Sequence, residues 1–254
     1  MEIEIFASSS RGNCSLVSAD GIYILIDCGI SARRISGFLA RRGLAPSDLA
    51  AILITHEHTD HVAGLYQLTK RQPIPIYASC GTAEAICDTL PQVAGMLEDF
   101  RSGESFSLAG LEIATAATPH DACDSVCYRI SSGRETIGYA TDLGHMPDAV
   151  FKLLSGAGTV VLESNHDIDM LKTGPYPPYL KSRILGPRGH LSNELAAETV
   201  GRLISCGARN ISLAHLSQEN NTPDRARKAA MRVICDMGME REVTLKVAPV
   251  LEEM

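Results

Sequence analysis

The sequence predicts an α/β (α+β) protein in which two β-sheets pack face to face with helices on their outer sides, an αββα four-layer sandwich. Three observations predict it. Strand and helix signals are interleaved in both halves of the chain, so neither half is all-helix or all-sheet. The middle third carries closely spaced alternating segments between Gly-containing turns, the pattern of an antiparallel sheet. A hydrophobic fraction of 45% against a charged fraction of 21% supplies a real core for 254 residues, and no repeat or low-complexity tract divides them, so 1–254 reads as a single domain.

In chain order, EIEIF alternates as a half-buried strand does, and CSLVSA and IYILID flank Asp20-Gly21, a hairpin signal. Ser31 offers an N-cap oxygen to a helix through SARRISGFLARR that stops at Gly43. AILIT reads as a buried strand; after a His-rich loop come a helix near VAGLYQLTKR, a strand PIYA, and a helix capped by Ser79 or Gly81 and running to about Leu90. ESFSL, LEIATAAT, SVCYRIS and ETIGYATD are the middle strands. Pro147 opens a helix to about Leu154, and TVVLES is another buried strand. The Gly, Pro, Tyr and basic composition of Lys172 to Arg188 predicts a structured loop. Ser192 caps a helix ending near Gly207, NISLAH is a strand, and Thr222-Pro223 opens a last helix with an N-cap and a first-turn proline.

The start has no basic stretch followed by an apolar one, and nowhere do about 18 apolar residues run together, so a cytoplasmic protein with no membrane partner is expected. Eight cysteines without a C-x-x-C pair argue against a zinc ribbon and predict mostly reduced core thiols. A net charge of −7 speaks against nucleic acid at large, since duplex binding depends on Lys and Arg at phosphates. Acidic metal sites inflate that figure, however, and basic pairs remain at Arg33–Arg34, Arg41–Arg42, Lys70–Arg71 and Lys181 with Arg183 and Arg188.

The sharpest chemical signal is His56-Glu57-His58-Thr59-Asp60-His61 at the end of AILIT. Imidazoles and a carboxylate suit zinc, manganese or iron, and residues two apart on extended chain project to one side. His56 and His58 can therefore grip one ion while Asp60 and His61, past the turn, face a second. Two ions need more donors, and His120, Asp142 and His215 each follow an apolar run, where strand ends can converge on one rim.

Asp27, the H-x-H-x-D-H run at 56–61, His120, Asp142 and His215 resemble, in order, the motifs of the metallo-β-lactamase superfamily over nearly the whole chain. The resemblance implies the metallo-β-lactamase fold, His56, His58 and His120 on one divalent ion, Asp60, His61 and His215 on another, Asp142 bridging both, and Asp27 ordering the metal loop. Glu163 after a strand and His190 before a helix resemble the phosphodiesterase branch. That likeness implies that His190, oriented by Glu163, protonates a leaving oxygen. FASSSRGNCSLV, LIDCGIS, TPHDA, ATDLG, LESNHD, GPYP, RGHLSN and LAHLSQENN resemble the YycJ/WalJ-like subgroup, which implies a 5′-to-3′ double-stranded DNA exonuclease linked to mismatch repair, with duplex ends and repair proteins as partners. No room is left for an inserted β-CASP domain, so substrate grip falls on the loops from Ser8 to Asn13 and Lys172 to Arg188.

The expected chemistry is in-line attack on phosphorus by a hydroxide bridging the two ions, oriented by Asp60. Ser9, Ser10 and Asn13 are candidate phosphate contacts or an ordinary tight loop; His166 is a substrate contact or a hydrogen-bonded structural residue; His145 is a turn residue. Two alternatives share the metals: a thioester, lactone or lactam hydrolase, and a non-catalytic metal-containing partner of a repair or signalling complex.

Overall fold

The computed structural model describes residues 1–249, so the last five residues of the expected 1–254 domain lie outside those described. One sheet runs in the order β1 (Glu2–Ser9), β2 (Gly12–Ala19), β3 (Ile22–Ile26), β4 (Leu49–Leu53), β5 (Ile76–Ser79) and β6 (Leu97–Phe100). The other holds β7 (Ser105–Leu108), β8 (Leu111–Ala117), β9 (Val126–Ser132), β10 (Glu135–Ala140), β11 (Thr159–Glu163), β12 (Asn210–Ala214) and β13 (Thr244–Val247), again side by side in chain order. The helices are α1 (Ala32–Ala40), α2 (Thr59–Val62), α3 (Leu65–Thr69), α4 (Cys80–Thr89), α5 (Asp148–Leu154), α6 (Ile168–Thr173), α7 (Pro178–Ile184), α8 (Asn193–Ser205) and α9 (Pro223–Asp236).

Strand alternation sorts the apolar side chains into three layers. Ile24, Ile26, Ala51 and Leu53 of the first sheet meet Ile113, Tyr128, Ile137, Tyr139 and Val161 of the second. Their neighbours Leu25 and Ile52 point the other way, against Ile35 and Leu39 of α1, Leu65 of α3 and Ile86 of α4. On the far side Val160, Leu162 and Leu213 pack on α5, α8 and α9 through Val150, Leu154, Val200, Leu203 and Ile234. Helices, sheet, sheet and helices make the expected four-layer sandwich.

The local signals explain most of the elements. Asp20 (φ 51°) and Gly21 (φ 82°) are both left-handed, as the expected two-residue hairpin between β2 and β3 requires. Side chains of Ser31, Ser192 and Thr222 accept hydrogen bonds from the backbone N–H of Arg34, Leu195 and Arg225, capping α1, α8 and α9. The middle strands β7 to β10 are antiparallel as expected, but β10 to β13 are parallel, and β3 to β6 of the first sheet are parallel too.

Three departures have physical causes. The single helix expected near residues 62–71 is the pair α2 and α3, because the Gly64 N–H is drawn to the Cys28 carbonyl at 2.7 Å and the chain bends there. The segment 172–188 is not a loop: it holds the end of α6 and all of α7, with Asp167 accepting from the Met170 N–H and Pro178 in the first turn of α7. The outermost strands β6 and β13, four residues each, are too short to show a period. The cysteines depart as well, since Cys14, Cys28 and Cys127 are buried whereas Cys80, Cys123, Cys206 and Cys235 are exposed; all eight are free thiols. No helix among the described residues is long and apolar enough to cross a membrane.

Candidate metal centre

Within each sheet the strands that carry site residues run in one direction, so their C-terminal ends share a rim. Asp27 follows β3, the 55–61 loop follows β4, His120 follows β8, Asp142 follows β10, Glu163 ends β11 and His215 follows β12. Asp27 (φ 60°), Asp142 (φ 62°) and His215 (φ 54°) all sit in the left-handed region that non-glycine residues avoid. The chain leaves three separate strands through the same costly turn, and each time it delivers a polar side chain to the rim.

Four overlapping groups of donors form there, with the ligand atoms in each within 4.8 Å of one another: His56, His58 and His120; Asp60, His61 and His215; His56, His61 and Asp142; and Asp142, Glu163, His190 and His215. All seven expected ligands are brought together, and Asp142 reaches both sides, 3.5 Å from His61 Nε2 and 3.8 Å from His120 Nε2.

The outer nitrogens of the rings are held by the fold. His61 Nδ1 donates to Asp27 Oδ2 at 2.8 Å, His215 Nδ1 donates to Glu163 Oε1 at 2.9 Å, and His120 Nδ1 faces the Gly189 carbonyl at 3.4 Å. Asp27 also accepts from the Thr55 N–H and hydroxyl, and that hydroxyl lies 3.1 Å from His56 Nδ1. Each Nε2 is thereby turned to the centre. His58 presents Nδ1 instead, 3.0 Å from His56 Nε2 and 3.3 Å from His120 Nε2.

This arrangement fits a divalent cation. Three ring nitrogens crowd one point, and the buried Asp142 Oδ2 and His215 Nε2 have no hydrogen-bond partner among the described residues, which burial makes costly unless a cation satisfies them. The protonation preferences of His56, Asp60 and Asp142 agree, whereas the carboxylates around His61 and His215 favour protonated rings whose proton an ion must displace. Burial and then the neighbouring His61, His120 and His58 push the His56 imidazole well below its ordinary range, the neutral form a ligand needs. Burial alone would raise the Asp60 and Asp142 carboxyls, yet the surrounding imidazoles hold both low and ionised. For His215 burial opposes protonation, but Asp142, Asp60 and Glu163 outweigh it and lift the ring to about 10.

Glu163 is completely buried and accepts four N–H groups: His190 Nδ1 (2.8 Å) and His215 Nδ1 on Oε1, and the backbone of Leu143 (2.8 Å) and Leu191 (3.0 Å) on Oε2. It therefore fixes the turn after Asp142, the segment at His190 and the His215 ring at once. Backbone contact is equally close beside Asp60. A Cβ on Gly29 would fall 1.6 Å from the Asp60 carbonyl oxygen, so only glycine lets that loop approach.

A cavity of about 260 Å³ opens on the centre, lined by His58, Asp60, His120, Asp142, His190 and His215 and by Ser10, Tyr176, Leu180 and Arg183. Of the candidate substrate contacts, Ser10 lines it, while Ser9, Asn13 and His166 are buried. The Asn13 amide lies 3.1 Å from His61 Nε2 and 3.4 Å from Asp60 Oδ2, beside the donor atoms of the cluster, and Ser9 Oγ accepts the Arg11 N–H. Neither ring nitrogen of His166 has a hydrogen-bond partner among the described residues, and burial takes its imidazole down to about 4. His145 is the expected turn residue, exposed and facing the Pro187 carbonyl. Sequence reasoning passed over Thr55, whose hydroxyl links Asp27 to two ligands, and Asp121, which binds Arg183 at the cavity mouth; adjacency to His56 and to His120 was the only signal either offered.

Residues 23–216 match the model of the "Beta-lactamase superfamily domain". The chain belongs to the β-lactamase superfamily. Within that superfamily it is 32% identical over 241 residues to "Exodeoxyribonuclease YycJ" of Bacillus anthracis, covering 94% of this chain and 90% of the relative. It is also 32% identical over 248 residues to "Exodeoxyribonuclease WalJ" of Streptococcus pneumoniae serotype 2, covering 96% and 91%. A solved metallo-β-lactamase fold protein, YhfI from Bacillus subtilis, superposes with a TM-score of 0.72 at 18% identity, over 97% of this chain and 95% of that one. The superfamily, the YycJ/WalJ-like relatives and the His/Asp cluster together make this chain a metal-dependent hydrolase of the metallo-β-lactamase fold.

Proposed function

We propose that this hydrolase is a two-metal phosphodiesterase that digests DNA from the 5′ end of a duplex, its 254 residues working as one domain without an inserted one, in the cytoplasm. The observation that carries this reading is the His190–Glu163 pair beside the donor cluster, supported by the likeness to two proteins named exodeoxyribonucleases. His56, His58 and His120 would hold one ion, Asp60, His61 and His215 the other, with Asp142 shared. Zinc, manganese or iron, when bound, activates water for attack on phosphorus and neutralises the charge that develops on the phosphate oxygens.

The protein's own groups do the rest. Asp60, ionised and reaching toward both His61 and His215, orients the attacking water. His190 gives its Nδ1–H to Glu163, which leaves Nε2 as the free nitrogen of a ring lining the cavity. Protonated there, it passes a proton to the departing 3′-oxygen while the buried Glu163 carboxylate stabilises the imidazolium. Asp27 orders the metal loop through His61 and Thr55. Ser10 and the α7 side chains at the cavity mouth contact the strand end.

The test is digestion of end-labelled duplex DNA, with and without a 5′-phosphate, by metal-loaded wild type, Asp142→Ala and His190→Ala. Wild type is expected to shorten the duplex from its 5′ ends, and loss of the proton donor to cost about 10²–10⁴ in rate. A His190→Ala enzyme of unchanged activity points to an ester with an easily expelled leaving group, as in the thioester alternative. Absence of cleavage with any metal removes the nuclease assignment.

A further inference from the structure

Four of the nine basic residues that the sequence offers for phosphate are engaged by groups of the protein itself. Arg183 binds Asp121 at 2.5 Å, Arg188 donates twice to the His120 carbonyl, Lys181 donates to the Lys172 carbonyl, and Arg42 binds Glu4. The cavity over the metal centre is lined by the carboxylates of Asp60, Asp121 and Asp142, and Arg183, the one Arg or Lys among its lining residues, is paired with Asp121.

A second groove has the opposite character. It measures about 640 Å³ and lies between the start of α1, the turn at Pro46 and Ser47, and the end of α3. Arg33, Lys70 and Arg71 line it, all exposed, with Gln67, Gln72 and Ser47 as further donors, and no carboxylate lines it. Neither Arg33 nor Arg71 pairs with an acidic group among the described residues; Lys70 donates to Gln67. The first turn of α1 contains no acidic side chain, so its helix dipole adds to the positive potential. In a chain with 30 acidic and 23 basic side chains, such a patch is local and one-signed.

Its position ties it to the metal centre. Gly29 touches the Asp60 carbonyl, and Ser31 at the edge of the groove follows two residues later, within about 8 Å of chain. The other wall, α3, is continuous with the metal loop through α2. Each DNA strand carries a phosphate about every 3.4 Å along the duplex axis, so a duplex whose end is held at the metal centre offers a run of phosphates to a second cationic contact on the elements next to that centre.

We propose that the groove lined by Arg33, Lys70 and Arg71 binds the sugar-phosphate backbone of a DNA duplex whose end lies at the metal centre. The inference rests on the nuclease reading and deepens it by naming where the polymer is held. Grip by phosphate contacts is independent of sequence, as an enzyme that advances along a strand needs.

The test is fluorescence polarisation with a labelled blunt duplex carrying phosphorothioate ends that resist cleavage, on metal-loaded protein across a salt series. Arg33→Glu/Arg71→Glu is expected to weaken binding about tenfold and to lower the slope of log affinity on log salt by about 1.8, the loss of two phosphate contacts. Arg33→Gln/Arg71→Gln, the milder change, should show the same slope at smaller cost in affinity. Lys228→Glu/Arg232→Glu makes the same net charge change on the exposed side of α9 and should bind as wild type does. Retained affinity and slope in the groove variants, an equal loss in the α9 variant, or wild type that binds anionic lipid vesicles and not duplex would overturn the proposal. Cleavage of ordinary end-labelled duplex is read separately. Binding through the groove without cleavage removes the nuclease reading alone, and cleavage with groove variants that bind normally removes the groove alone.

Discussion

Four N–H groups end on the Glu163 carboxylate, and no other acidic side chain could be exchanged there without orphaning one of them. In Glu163→Gln the amide keeps one acceptor oxygen and turns an NH2 toward two donors, leaving buried groups unpaired at a cost of about 1–3 kcal/mol. Glu163 positions His190 and is not itself the proton donor, so kcat should fall about 10²-fold or more with KM little changed, and the alkaline limb of the pH–rate profile, where the proton donor is lost, should move. A fall in KM and thermal stability with an unmoved pH profile would reduce Glu163 to a structural role. His215 makes a second prediction. Its ring is raised to about 10 in the folded protein, above the unfolded value of about 6.5, so its contribution to the metal-free protein is complete below about pH 6.5 and is lost as pH rises through about 10. A ligand must be neutral, so metal affinity should rise over that same interval. Melting of the chelated protein and metal titrations between pH 6 and 10 check both; a melting temperature that climbs toward pH 10 refutes the assignment. The donor cluster was legible in the sequence because histidine is scarce and three fell within six positions. For Ser9 and Asn13 the sequence left both readings open, since the same hydroxyl and amide groups brace loops as readily as they bind phosphate, and Asn13 lies 3.1 Å from His61 Nε2.

At the scale of elements, the rim is made by strands that end in left-handed turns at Asp27, Asp142 and His215. Asparagine tolerates that region at least as well as aspartate, so Asp142→Asn should keep the backbone turn while removing the shared charge. Activity should drop by about three orders of magnitude, as when a single preorganised electrostatic group is lost; calorimetry and kinetics on one preparation decide, and an inactive enzyme that is also unfolded would count against the backbone argument. Gly29→Ala attacks the neighbouring loop through sterics alone. Its Cβ cannot share space with the Asp60 carbonyl, so the metal loop must shift, and metal affinity should fall at least tenfold even though no ligand is altered. Elements whose own signals are strong were readable, as the capped helices α1, α8 and α9 show. Helix α7 was hidden by the prolines around it, although Pro178 in a first turn is itself a helix-start signal, and β6 and β13 owe their existence to pairing at sheet edges and not to a pattern of their own.

For the whole molecule, the donors come from both sheets. His56, His58, Asp60 and His61 follow β4 in the first, whereas His120, Asp142 and His215 follow β8, β10 and β12 in the second. An ion bound by both groups ties the sheets together along one rim, while the central apolar layer of Ile24, Ile26, Tyr128 and Tyr139 holds them elsewhere without it. The fold therefore survives removal of metal, but with a penalty set by mass action. At free metal a hundredfold above its Kd, binding contributes about 2.7 kcal/mol, and for a protein of this size each kcal/mol moves Tm by about 2–4 °C. Chelation should lower Tm by about 5–11 °C for each ion held at that excess. Hydrogen exchange should quicken first in the loops at 55–61, 141–145 and 215–221, while the buried strands β3 and β10 keep their protection, because local opening follows the loss of local contacts. A protein whose metal has been stripped, as judged by elemental analysis, and whose Tm and exchange pattern stay where they were would mean that the sheets close on their apolar layer alone. The clustered side chains would then contribute nothing to holding the rim.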